Sequence, residues 1–123
     1  MRLRVRFLVQ LADTPGQQGE HDVAAFDEHV DGDPVVRTSH PALGVHHLVA
    51  AGSSALLFCE NETNRQRVYG QPTTSPAVKD GINDAVIQGD TSGLAPDDSG
   101  TKVAARYSLD IAAGATEQVT LRL

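Results

Sequence analysis

The residues with most to offer chemically fall in two polar clusters on either side of a Pro-containing loop. Glu60, Asn61, Glu62 and Asn64 follow directly from the apolar run Ala55 to Cys59, while Lys79, Asp80, Asn83 and Asp84 come after Pro76 and lead into Val86 and Ile87. Paired carboxylates hydrolyse glycosidic bonds when they flank one bond, about 5 Å apart for retention and about 6.5–9.5 Å for inversion. Glu60 and Glu62 would project to the same side of a strand, so either could work with Asp80 or Asp84 in a small carboxylate-dependent glycoside hydrolase. A plainer role competes with this one. Acids and amides at strand ends commonly bond loop backbone, and Asn61, Asn64 and Asn83 suit that task. The eight polar residues are therefore expected to form a ligand-binding patch, with no residue assigned to catalysis.

Other chemistries find less footing. His46 and His47 are adjacent and would point to opposite faces of a strand, so they cannot share an ion there. His40 precedes Pro41 at a bend, and His21 and His29 lie in weakly patterned sequence; no zinc, calcium-loop or phosphate-loop spacing occurs. No metal or other cofactor is expected. Cys59, the single cysteine, sits inside an apolar run and reads as a small buried hydrophobe in a reduced compartment. Nothing nearby in sequence would lower its pKa for nucleophilic work.

The elements that must position these residues are constrained first by composition. A chain of 123 residues is most simply one domain, able to bury roughly two-thirds of its unfolded surface. Ten Lys and Arg against sixteen Asp and Glu leave a net charge of −6, which argues against nucleic acid or an anionic membrane as partner. No apolar run approaches the ~20 residues of a membrane helix, and the Arg-rich start lacks the pattern of a signal peptide, so a cytoplasmic protein is expected.

Hydropathy patterning predicts mostly strands. Leu3 to Leu11 alternates, with Arg2, Arg4 and Arg6 on the solvated face; Asp13 to Asp22 is a polar loop; Val23 to Val30 leans towards a strand, and Asp31 to Pro34 is a turn. Val35 to Ser39 and Gly44 to Ala50 make two strands around the His40–Pro41 bend. Ala55 to Glu60, apolar before the glutamate, predicts a strand covered on both faces and central in its sheet. Arg65 to Tyr69 is expected as a short strand, Asp80 to Gln88 as either a helical turn capped by Asp80 or the approach to a strand, and Asp90 to Gly100 as a surface loop passing between sheet edges. Val103, Ala105, Tyr107, Leu109 and Ile111 alternate with polar residues, and Val119, Leu121 and Leu123 repeat the pattern after a tight link at Ala112 to Ala115, predicting a terminal hairpin. About seven strands and no long amphipathic helix give an all-β, antiparallel β-sandwich.

Several short motifs add a resemblance. Glu60 to Asn64 (ENETN), Tyr69, Gly70, Ser75, Pro76 and Val78 to Asp84 (VKDGIND), with His40, Pro41, Leu43 and Gly44 upstream and Gly100, Thr101, Lys102, Ala104, Ala105 and Tyr107 downstream, are similar to the N-terminal β-sandwich region of bacterial glucosidase-like proteins related to glycoside hydrolase family 63, the mannosyl-oligosaccharide glucosidase family. The similarity covers residues 35–123, and residues 1–34 fit the family poorly. It implies part of a supersandwich-like domain standing before a catalytic (α/α)6 barrel, which this sequence stops short of. It thus implies a non-catalytic accessory or scaffold module derived from a glycosidase, contacting carbohydrate weakly or a catalytic domain or partner protein. Ala85 stands where the family leads one to expect a larger, often aromatic residue, which weakens a sugar-stacking role there. A shortened sandwich would leave strand edges or an apolar face to cover, so a homo-oligomer is expected; the Leu56 and Phe58 side of the central strand is a candidate surface for it, although an internal sandwich face is the stronger reading of that side.

Overall fold

A computed structural model describes residues 2–12 and 22–123, with side chains described from residue 29 onward. Its strands are β1 (Arg2–Ala12), β2 (Asp22–Val30), β3 (Asp33–His40), β4 (Gly44–Ala50), β5 (Ala55–Cys59), β6 (Ser99–Gly100), β7 (Lys102–Ala112) and β8 (Leu121–Arg122), and its helices are α1 (Arg65–Tyr69) and α2 (Asp80–Ile87). All strand pairing is antiparallel, in a three-stranded sheet ordered β1-β7-β5 and a five-stranded sheet ordered β6-β2-β3-β4-β8. The expected all-β sandwich is the fold, with eight strands among the described residues, two of them only two residues long. The polar loop expected at Asp13 to Asp22 lies, but for Asp22, outside the described residues.

Local chemistry accounts for most boundaries. Asp31 and Gly32 have φ of 55° and 87°, the left-handed pair that lets a two-residue link follow the right-handed twist of β2 and β3. At the next bend His40 Nδ1 accepts the N–H groups of Ala42 and Leu43, at 3.1 and 3.2 Å, and so folds the chain back into β4. Along β7, Val103, Ala105 and Tyr107 are buried on the alternating face, as the pattern predicts.

The core lies on both faces of the three-stranded sheet. One face meets the five-stranded sheet: Phe58 and Val103 pack with Val36 and Leu48, and Ala105 and Tyr107 pack with Ala50, Leu56 and Leu121. The other face is covered by α2, where Ile82 and Ala85 join Leu57, Cys59, Ala77 and Ala104. Alternate residues of β5 thus point into different layers, and this explains its continuous apolar run.

Three expectations need correction. β5 is covered on both faces but is an edge strand, not a central one; its outer edge is closed by loop bonds instead, Ala95 N–H to the Phe58 carbonyl at 2.8 Å and Glu60 N–H to the Ala77 carbonyl at 2.7 Å. The predicted terminal hairpin does not form. The turn after β7 is present, with Ala115 N–H bonded to the Ala112 carbonyl at 3.0 Å, but β7 pairs with β1 and β5 while β8 crosses to β4 in the other sheet. Arg65 to Tyr69 is a helix, not a strand, and Asp80 to Ile87 takes the helical alternative. The Leu56 and Phe58 side of β5 faces the opposite sheet, so of its two readings the internal one holds and it is not available as a subunit surface.

Candidate functional site

Beyond Cys59 the chain leaves the sheet and lays residues 60–62 alongside residues 77–79. Two main-chain bonds fix that pairing, Glu60 N–H to the Ala77 carbonyl and Lys79 N–H to the Glu62 carbonyl at 3.2 Å. The two polar clusters are therefore neighbours in space, as their density in sequence suggested. Most of their side chains are occupied in holding the loops.

Asn64 Oδ1 accepts the Arg67 N–H at 2.9 Å and starts α1, which ends at Gly70 in the left-handed conformation. Such a cap and stop flanking Arg65 to Tyr69 is the sequence signal for a helix that the strand reading passed over. Arg67 then reaches α2, placing Nη1 3.2 Å from Asp80 Oδ2 and 3.5 Å from Asp84 Oδ2. Bonding to Asp80 first, and the charge of Asp84 next, raise the guanidinium pKa above its ordinary value. Asp80 lies in the first turn of α2, where its charge suits the helix dipole, but Lys79 is the capping position and no side chain caps it. Asn83 Nδ2 makes a long contact of 3.5 Å to Asp84 Oδ1.

The two glutamates diverge. Both carboxylate oxygens of Glu62 bind Thr74, one accepting its hydroxyl and the other its N–H at 3.1 Å, and the Thr74 hydroxyl bond is the main cause of a lowered Glu62 pKa. Glu60 turns towards the link between β6 and β7, where Oε2 accepts the Thr101 hydroxyl at 2.7 Å; Thr101 Oγ1 in turn accepts the Asn61 N–H at 2.8 Å. Glu60 and Glu62 stand beyond the end of β5, so the strand alternation that would have put them side by side does not apply.

Glu60 alone of the eight expected residues borders the cleft found among the described residues. This open cleft of about 790 Å³ runs between Ser75, Pro76 and Ala77 on one side and Thr91, Ser92 and the run Leu94 to Ser99 on the other. Both walls are anchored to the outer edge of β5 through the bonds of Phe58 and Glu60. Asp97 Oδ2 accepts the Ser99 hydroxyl at 2.8 Å, and Asp98 adopts a φ of 51°, a conformation Asp tolerates better than most residues. Among the described residues, the cleft offers carboxylates and hydroxyls with a few apolar groups and no aromatic side chain.

Sequence reasoning missed Ser75, Thr91, Ser92, Asp97, Asp98 and Ser99 as cleft residues. For the five residues from Thr91 to Ser99 the only available signal was the polar, turn-rich run Asp90 to Gly100, which was expected as surface loop and which is loop up to the start of β6 at Ser99. Cys59 is fully buried, and desolvation pushes its thiol up to about 11 against a smaller opposing effect of Lys102. Among the described residues no group of three or more His, Cys, Asp or Glu is arranged to hold a metal ion, and no helix is long and apolar enough to cross a membrane.

Fold and site together define an antiparallel β-sandwich with a helical loop insert and an open, acidic, hydroxyl-lined cleft at the edge of its smaller sheet. No protein-family model, curated protein or solved structure matches the chain.

Proposed function

We propose that this chain is a non-catalytic accessory β-sandwich whose cleft makes weak contact with carbohydrate and which otherwise serves as a scaffold for a catalytic domain or partner protein. The observation that carries this reading is the engagement of the would-be catalytic acids in loop construction: Glu62 is held by Thr74, and Asp80 and Asp84 share Arg67. The cleft lies apart from that ion-paired cluster. Its Glu60, Asp97 and Asp98 carboxylates beside Ser and Thr hydroxyls are groups that hydrogen-bond sugar hydroxyls. Among the described lining residues there is no aromatic platform, which favours low affinity, since ring stacking is a main source of sugar-binding energy. Descent from a glycosidase rests on the resemblance over residues 35–123. A cytoplasmic location accords with one buried, unpaired cysteine.

Calorimetric and NMR titration with gluco- and manno-configured oligosaccharides tests the reading. Binding in the millimolar range, about −4 kcal/mol, with shifts centred on Glu60, Thr91 and Ser92 and weakened by Glu60→Gln, is expected. Absence of heat and of shifts at millimolar sugar removes the carbohydrate part and leaves the scaffold role.

A further inference from the structure

Asp31 and Gly32 form the two-residue link between β2 and β3, and Asp80 and Gly81 stand at the start of α2. Both pairs present the same chemistry. An aspartyl side-chain carboxyl precedes the main-chain nitrogen of a glycine, whose missing side chain leaves that nitrogen open to approach. Ring closure between the two gives a five-membered succinimide, and the surrounding fold decides where closure can occur.

In α2 both reactants are held. Gly81 is buried, its N–H donates to the Val78 carbonyl at 2.9 Å, and the place a Cβ would take is filled by the Gly93 carbonyl. Asp80 Oδ2 lies 3.2 Å from Arg67 Nη1. The β2–β3 link has none of these restraints. Asp31 and Gly32 are exposed, open space surrounds the Cβ position of Gly32, and among the described residues no main-chain carbonyl accepts the Gly32 N–H. Asp31 also has φ of 55°, a left-handed conformation that strains a residue with a side chain, so the rotation that closure requires is opposed less there than within a helix.

We propose that Asp31 is a site of self-modification, at which the Gly32 nitrogen attacks the Asp31 carboxyl and the link becomes isoaspartate. The new bond joins Gly32 N to Asp31 Cγ, and the carboxyl hydroxyl leaves with the amide proton as water. Water then opens the ring at the Asp31 main-chain carbonyl, giving isoaspartate, or at Cγ, restoring aspartate. The isoaspartyl main chain runs through Cβ and is one carbon longer. It no longer fits the register of Val30 with Asp33 and His29 with Pro34. Asp33 Oδ1 accepts the Gly52 N–H at 2.9 Å, so the lengthened link also pulls on the turn between β4 and β5. The reaction needs no ligand in the cleft and is independent of the carbohydrate reading.

The full chain is incubated at neutral pH and body temperature and mapped by peptide mass spectrometry with electron-based fragmentation, which separates isoaspartate from aspartate. Isoaspartate should form at Asp31 about tenfold faster than at Asp80, and the two rates should converge in urea, where the fold no longer distinguishes them. Asp31→Asn keeps the turn and makes ammonia the leaving group in place of water, so conversion at residue 31 should quicken and show directly as a change in mass. The isoaspartyl form should exchange its Gly52 amide faster than the parent. Equal rates at Asp31 and Asp80 in the folded chain overturn the proposal, as does product at Asp31 in urea alone, or an Asp31→Asn chain that stays unconverted. An isoaspartyl form with unchanged Gly52 exchange overturns the structural consequence.

Discussion

The hydroxyl of Thr101 donates to Glu60 Oε2 at 2.7 Å while accepting the Asn61 N–H at 2.8 Å, so one side chain between β6 and β7 holds both the cleft carboxylate and the first turn of the loop that leaves β5. A single hydroxyl couples the smaller sheet to the candidate site. Thr101→Val keeps the shape and removes both bonds. We expect a loss of about 1–3 kcal/mol, since the Asn61 N–H is left without its partner in a half-buried site. Urea denaturation measures this; an unchanged midpoint at unchanged slope would show that water replaces the hydroxyl.

Helix α1 has no buried residue, so its stability depends on its ends and on Arg67. Asn64→Ala should destabilise by about 1 kcal/mol through loss of the cap. Arg67→Ala should be the milder change, because the guanidinium is exposed and its pairs with Asp80 and Asp84 are screened by solvent. Thermal melts of the two variants should therefore rank Asn64→Ala as the more damaging. The reverse order would mean that the ion pairs, not the cap, hold the helices together.

Gly81 lies within α2, where replacement by Ala ordinarily stabilises by up to about 1 kcal/mol. Here the sign reverses. A Cβ at Gly81 runs into the main-chain carbonyl of Gly93, and backbone cannot turn aside as a flexible side chain can. Gly81→Ala should destabilise by about 1–3 kcal/mol, the usual cost of overpacking, and should displace the loop that forms one wall of the cleft. A melting temperature at or above the parent value contradicts this.

Cys59 should be silent to thiol reagents at pH 8 in the folded protein and reactive once unfolded, because burial raises its pKa to about 11. The same shift sets a pH dependence. A pKa higher in the folded than in the unfolded state means that its contribution to stability is complete below the unfolded value, about 8.5, and is lost as pH rises through the folded one. Stability should fall between those limits, and Cys59→Ala should remove that part of the fall. Glu62 behaves oppositely. Its pKa is lowered, chiefly by the Thr74 hydroxyl, so its contribution is present above the ordinary carboxylate range and disappears as acid protonates it.

The sandwich was legible in the sequence because side-chain alternation is a local property. Val103 to Ile111 announces a strand whatever lies beside it, and Asp31–Gly32 announces a turn. Strand partners were not legible in the same way. β7 and β8 are close in sequence and alternate alike, yet Leu121 completes a core around Ala50, Ala105 and Tyr107 only by joining the opposite sheet. Likewise the apolar run at Ala55 to Cys59 implied cover on both faces, and it has that cover. Whether its edge was sealed by another strand or by the loops around Ala77 and Ala95 was a matter of long-range bonding.

The same division holds for the site. By itself the sequence determined that Glu60 to Asn64 and Lys79 to Asp84 would be polar loops beside a buried strand, because residue type and turn chemistry act over a few positions. Only the tertiary structure decided which of those acids hold loops and which border a cleft. Glu62 is drawn to Thr74, and Asp80 and Asp84 to Arg67, whereas Glu60 faces a wall built from residues 91–99. Those partners lie 12 to 39 positions away for all four acids. Hydrogen-bond and charge pairing at such separations is set by how the sheets and α2 pack, and local pattern carries no record of it.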